Sequence, residues 1–181
     1  MKNGFTMVEA VVMLAIVIAI SAVVLFSFTG FNEGAALNRS SRELALAIRR
    51  AQNMSLAVTQ IQTSAGPRIP PAVGLKLSTL APATYFTFAD LLHDNKYASA
   101  DDAKIGSDAT FERGIKLDSL KDKDGVARAT VHIIFAAPEA TVFLGDENGV
   151  SVGDKLDITL KTPAGQTRTV VVRTSGQVSV R

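Results

Sequence analysis

The sequence has no cysteine and only two histidines among its 181 residues. Without a thiol the chain can form no disulfide, no thiolate metal site and no cysteine nucleophile. His132 falls in the strand-like stretch TVHIIF, where a satisfied side chain is commoner than a catalytic base, and no Ser-His-Asp or paired-carboxylate spacing is found. Glycine-rich phosphate-binding motifs are also missing. We therefore predict that the chain is not an enzyme and holds no cofactor or metal ion.

Charged residues are nearly balanced in number but unevenly distributed. The 19 basic and 17 acidic residues give a formal net charge of +2. Positions 36–66 carry four arginines and one acid, positions 90–157 carry fourteen acids and eight bases, and positions 158–181 carry four bases and no acid. A polyanionic partner would therefore bind near the ends of the sequence rather than its middle.

The chain opens with an apolar run that is interrupted near its start by Glu9. No charged residue occurs from Ala10 to Phe28, and at ~1.5 Å per residue this run nearly crosses a ~30 Å hydrocarbon core. A cleaved secretory signal would account for the run, and residues 19–21 fit its small-x-small site. An ordinary single-pass anchor would account for it too, but neither interpretation gives a role to a carboxylate that is costly inside a membrane.

The stretch KNGFTMVEAVVMLAIV resembles the class III signal of type IV prepilins and type II secretion pseudopilins. The resemblance lies in a short charged leader ending in Gly4, then Phe5, then Glu9 as the fifth mature residue, then an apolar helix. It implies that a prepilin peptidase cuts between Gly4 and Phe5 and methylates the new amine of Phe5. It also implies that Glu9 neutralises the amine of a neighbouring subunit, so that the buried charge is paired only in the correct register.

The resemblance implies a single-pass protein of the bacterial inner membrane, with a cytoplasmic N-terminus and a periplasmic or extracellular C-terminal domain. The implied partners are the prepilin peptidase, other pilin or pseudopilin subunits, the inner-membrane assembly platform and membrane lipid. Arg39 and Arg42 oppose this orientation under the positive-inside rule, but translocated domains obey that rule less strictly than short loops do.

A second helical stretch is expected after the membrane segment. Gly30 and Gly34 lower helix propensity, and an apolar stripe at helical spacing then resumes. The stripe comprises Leu37, Leu44, Ile48, Ala51, Ser55 and Val58. We interpret it as the face that packs on the chain's own domain, and we expect the glycine and prolines of TSAGPRIPPA to mark the boundary.

Short alternating segments separated by turn signals predict a β domain after this boundary. The strand candidates are residues 72–77, 83–88, 114–120, 129–135, 140–144, 156–161, 168–173 and 177–180. The predicted fold is α+β and pilin-like, with a long N-terminal hydrophobic helix packed on a C-terminal antiparallel β domain. The predicted segments are a leader (1–4), a membrane helix (5–28), its amphipathic continuation (29–62) and the globular domain (67–181).

The segment RRAQ and the closing pattern LDITLK…GQTRTVVVRTSGQVSV are similar to GspH/FimT-type minor pilins and pseudopilins. The implied function is a structural subunit of a type IV pilus or a secretion pseudopilus. An alternative is a DNA-binding pilin for DNA uptake, because some members of that group bind DNA. The candidate DNA-binding residues are Arg168, Arg173 and Arg181, which lie where no acid compensates them.

The acidic segment ADLLHDNKYASADD also offers oxygen atoms of the kind that calcium binds. It lacks the EF-hand spacing, so we interpret it as a solvated loop.

Overall fold

The computed structural model describes residues 6–63 and 66–181, and inside the helix it leaves out the side chains of residues 25–31. Gly4 and Phe5 therefore lie outside the described residues.

One helix, α1 (Met7–Leu56), occupies the first third of the chain. At ~1.5 Å per residue it is about 75 Å long. It runs through Gly30 and Gly34, so the weak point that their low propensity predicts does not break it. The predicted continuation to residue 62 is wrong, because the helix ends at Leu56 and Val58 has a φ of 47°, outside the helical region.

The predicted apolar stripe is confirmed along most of its length. Leu44, Ile48 and Ala51 are fully buried, and Leu37 and Ser55 are almost so. Val58 is the exception, at 40% exposed, since it lies beyond the end of the helix.

The rest of the chain folds into antiparallel β structure, so the fold is α+β. The strands are β1 (Ile61–Thr63), β2 (Gly66–Arg68), β3 (Ala72–Ser78), β4 (Thr84–Asp90), β5 (Ala103–Thr110), β6 (Lys116–Asp122), β7 (Ala127–Arg128), β8 (Thr130–Ala136), β9 (Thr141–Asp146), β10 (Lys155–Lys161), β11 (Thr167–Arg173) and β12 (Val178–Val180). Each predicted strand overlaps an observed one, whereas β1, β2, β5 and β7 were not predicted. The β structure begins at Ile61, before the predicted start at residue 67.

Within the described residues, ten strands form two five-stranded sheets, and β1 pairs with β2 as a small hairpin. Sheet I has the order β5-β4-β3-β8-β9, and sheet II has the order β12-β11-β10-β6-β7. The second half of α1 contacts both sheets, through β3 and β8 of sheet I and through β10, β11 and β12 of sheet II. One main hydrophobic core joins the helix to both sheets.

Polar contacts fix the helix on the sheets at both ends of this packed half. Near its start, the carboxylate of Glu33 accepts a hydrogen bond from the amide of Ala164 at 3.2 Å. Near its end, the buried hydroxyl of Ser55 donates to the carbonyl oxygen of Phe135 at 2.9 Å. These contacts anchor the packed half at points about six turns apart, at 3.6 residues per turn.

Candidate functional site

The first half of α1 leaves an apolar surface uncovered. Met7–Val24 is an 18-residue segment of which no part is buried, and it is long and apolar enough to cross a membrane. Large side chains such as Met7 and Val8 are more than 70% exposed. In water such a surface is unfavourable by ~25 cal/mol per Å² of apolar area. It therefore requires a lipid or protein environment.

Glu9 is the only charged residue of this segment and lies in the first turn of the helix. Thr6 is the N-cap residue, and its Oγ1 accepts a hydrogen bond from the backbone amide of Glu9 at 3.3 Å. The Thr-x-x-Glu spacing of residues 6–9 is that of a capping box, and a carboxylate near a helix N-terminus interacts favourably with the helix dipole. Glu9 therefore has a role in its own helix, which could have been read from the sequence and was missed.

The three candidate DNA-binding arginines do not share one face of sheet II. Arg168 pairs with Leu160 in the register of β10 and β11, on the face that carries the buried core residues of these strands. Thr169 exchanges backbone hydrogen bonds with Arg181, which places Arg181 on the opposite face, with Arg173. Arg181 lies opposite Thr169, four residue steps from Arg173, so the two arginines are about 13 Å apart along the strand direction. The DNA-binding alternative stays a prediction, and the three arginines on which it depends are divided between the two faces of sheet II.

The acidic segment is a loop that folds over the outer face of sheet I. We call residues 91–102 the cover loop. The buried carboxylate of Asp90 accepts hydrogen bonds from the backbone amides of Asp94 at 3.2 Å and Asn95 at 3.0 Å. Asp102 accepts two more from loop amides, at 2.9 and 2.7 Å. Burial raises the pKa of Asp90, and the amide hydrogen bonds oppose that rise.

These carboxylates are thus used to hold the loop's own backbone. Among residues 6–63 and 66–181, no three His, Cys, Asp or Glu side chains are grouped in a way that could hold a metal ion.

The cover loop also buries an aromatic contact, in which the rings of Phe88 and Tyr97 meet edge to face with centroids 5.2 Å apart. The loop is therefore a packed part of the domain, with its own small hydrophobic cluster beneath it.

His132 lies on β8 beneath the cover loop and is 1% exposed. Its Nδ1 is 2.9 Å from the carbonyl oxygen of Asp146, so Nδ1 carries the proton of the neutral ring. Nε2 has no hydrogen-bond partner in the described part of the chain, so the expectation of a satisfied side chain holds for only one nitrogen. Burial lowers the pKa of His132. The ring packs edge to face on Phe88, at 5.9 Å between centroids, an environment typical of a structural residue.

Comparisons with protein-family models, with curated proteins and with solved structures found no match to this chain.

Proposed function

We propose that this chain is a minor pilin or pseudopilin, a structural subunit held in the bacterial inner membrane by the first half of α1. The observation that carries the proposal is the division of one continuous helix. Met7–Val24 is fully exposed and apolar, whereas the half beyond residue 35 is the spine of a β domain. A subunit of this shape can leave the bilayer and enter a helical filament by exchanging lipid contacts for contacts with the same segment of its neighbours.

Glu9 supports the proposal through its position. It lies in the first turn, so in a single subunit its charge is near the end of the apolar segment, where the cost of insertion is lower than at the bilayer centre. In a packed array of such helices the carboxylate would be surrounded by apolar side chains and would need a cationic partner. The amine of Phe5 of a neighbouring subunit, exposed by cleavage after Gly4, would be that partner.

The interaction of the Glu9 carboxylate with its own helix terminus is an alternative to this assembly role, and substitutions separate the two. Glu9→Gln removes the charge and keeps a side chain suited to a capping box, whereas Thr6→Ala removes the cap and keeps the charge. If Glu9 sets subunit register, Glu9→Gln should lower incorporation into sheared filaments at least about tenfold, the effect of ~1.4 kcal/mol. Thr6→Ala should then incorporate almost normally.

The measurement is immunoblotting of sheared filaments against the membrane fraction in a host that assembles the chain. Mass spectrometry of the membrane fraction controls for processing, with a mature start at Phe5 in both variants and an uncleaved precursor in Gly4→Val. Equal incorporation of Glu9→Gln and wild type would show that the carboxylate has no assembly role. A mature start elsewhere would overturn the pilin assignment.

A further inference from the structure

The packed half of α1 presents a basic and partly apolar face to solvent, which we call the arginine face. It comprises the exposed residues Arg39, Arg42, Glu43, Leu46, Arg49, Arg50, Asn53 and Leu56. Four of these are arginines and only one is an acid. Leu46 is 60% exposed and Leu56 is 50% exposed. A solvent-facing helix surface usually mixes charges of both signs and carries few large apolar side chains, so this composition is that of a binding surface.

Two of the four arginines make neither an ion pair nor a hydrogen bond within the described residues. Arg39 forms an ion pair with Glu112 at 3.2 Å, and Arg49 donates to the carbonyl oxygen of Val178 at 3.1 Å. Arg42 and Arg50 have no ion pair within residues 6–63 and 66–181. They lie four residues to either side of Leu46, which places an apolar side chain between two free guanidinium groups on one side of the helix.

The arginine face also carries a shallow, open groove of about 480 Å³, lined by Leu46, Arg49, Arg50, Asn53, Met54 and Thr59. A second groove of about 440 Å³ adjoins the first at Arg50 and Met54 and extends between the helix and β5. β5 is an edge strand of sheet I. Together the two depressions extend the arginine face from the helix to the edge of sheet I.

The same chain carries an exposed surface of opposite charge. The cover loop and the turn between β9 and β10 touch, because a Cβ on Gly149 would lie 2.7 Å from the carbonyl oxygen of Asp94. Asp101 on the loop and Glu147 on the turn are exposed, and neither has an ion-pair partner in the part of the chain that the structure describes. We call these two touching segments the acidic tip.

We propose that the arginine face of one copy binds the acidic tip of a second copy of this chain. The pairing joins two different surfaces, so it is a heterologous contact, which propagates into an open helical array unless it closes into a ring. The inference rests on the proposed function for its setting in a filament, and it adds to the helix packing at Glu9 a contact between the domains. Opposite charges would set its register, and the exposed leucines would supply apolar contact.

Cross-linking tests this pairing cleanly because the chain has no cysteine. We would co-express two differently tagged full-length chains, Leu46→Cys on the arginine face and Ser99→Cys on the cover loop, and oxidise the membranes mildly. A heterologous contact predicts that the mixed disulfide between positions 46 and 99 exceeds either same-site disulfide at least about fivefold. Equal yields of mixed and same-site products would overturn the proposal.

Exchanging the charges of the two surfaces then tests whether electrostatic attraction holds the proposed contact. Arg50→Glu in the first chain, or Asp101→Arg in the second, should each lower the mixed product about tenfold, and the two together should restore it, since like charges repel and the exchanged pair attracts. Arg168→Glu, a reversal on an exposed arginine outside the face, should leave the yield unchanged. Failure of the double exchange to restore the product would overturn the proposal. The proposal would also be overturned if the arginine face bound DNA and no mixed disulfide formed.

Glu9→Ala in both chains separates this inference from the proposed function. The mixed disulfide should persist in that variant while filament incorporation falls. A normal level of incorporation together with the mixed disulfide would reject the register role of Glu9 and leave the domain contact standing. If Glu9→Ala lowers incorporation but the wild-type chains form no mixed disulfide, the domain contact is rejected and the register role of Glu9 stands.

Discussion

His132 shows how one buried side chain sets a pH dependence for the domain. The ring is shielded on the outer face of sheet I, with the charged groups of Lys76, Asp94 and Asp146 acting on it. Burial is the main cause that lowers its pKa below the ordinary value of 6.5. The folded state therefore binds a proton more weakly than the unfolded state, and stability falls as pH drops below about 6.5.

We predict that the free energy of unfolding decreases between pH 7.5 and 5.5, by at most ~1.4 kcal/mol per pH unit for one proton. His132→Leu should remove most of this decrease. His93→Asn is the matched control, because His93 is exposed and Asn tolerates its φ of 57°. Urea titrations at each pH provide the measurement, with the full chain in detergent micelles. A pH slope that is equal in wild type and His132→Leu would contradict the assignment.

At the scale of elements, pairing and packing with other segments determine some helices and strands that local sequence patterns do not predict. Strand β5, of sequence AKIGSDAT, has no alternation of large apolar and polar residues, so no periodicity predicts it. It forms because its backbone pairs with β4. The helix likewise crosses Gly30 and Gly34, because the packing of its second half and the apolar run of its first half outweigh a loss of ~1 kcal/mol per glycine.

The contact between the cover loop and the β9–β10 turn can be measured with two glycines. Gly149 and Gly125 both have a φ of 79°, but a Cβ at Gly125 meets nothing within 4 Å, whereas one at Gly149 meets the backbone of Asp94. Alanine at either position should cost ~1–2 kcal/mol for the left-handed backbone. Gly149→Ala should cost a further ~1–3 kcal/mol, because the loop must move.

Thermal unfolding of both variants measures this difference. Hydrogen exchange should also become faster in the cover loop of Gly149→Ala and stay unchanged there in Gly125→Ala. Equal losses of stability in the two variants would mean that the loop moves aside freely and that its contact with the turn contributes nothing.

At the scale of the whole molecule, the two halves of one helix differ in how they are buried. Its first half is exposed and apolar, and its second half buries one stripe in the core while exposing the arginine face. This difference comes from the side chains, since the helical backbone is continuous from Met7 to Leu56. The chain therefore places its domain at a set distance from any membrane that holds its first half.

We predict that the chain fractionates with membranes and is released by detergent but not by alkaline carbonate. Ile16→Asp, in the middle of the exposed segment, should shift a large share to the soluble fraction, because a central aspartate costs ~2.5–3.5 kcal/mol on insertion scales. Leu46→Asp is the matched control, since Leu46 is an equally exposed apolar residue of the same helix outside the segment. Equal membrane retention of both variants would show that Met7–Val24 is not the anchor.

The sequence by itself determined the features that depend on neighbouring residues. The uncharged run after Glu9, the stripe from Leu37 to Ser55 and the strands with clear alternation can all be read locally, because helices and strands repeat over a few residues. The opposite faces of Arg168 and Arg173 follow from the same repeat. The capping-box spacing from Thr6 to Glu9 is equally local, since it spans only four residues.

Only the tertiary structure decided which distant segments meet. The order of strands in the two sheets, the cover loop over His132 and the face shared by Arg173 and Arg181 all depend on pairings between residues far apart in the chain. Such pairings are selected by the burial of a common core and by the pairing of backbone hydrogen-bonding groups. These are properties of the whole packed domain, and no periodicity within one segment records them.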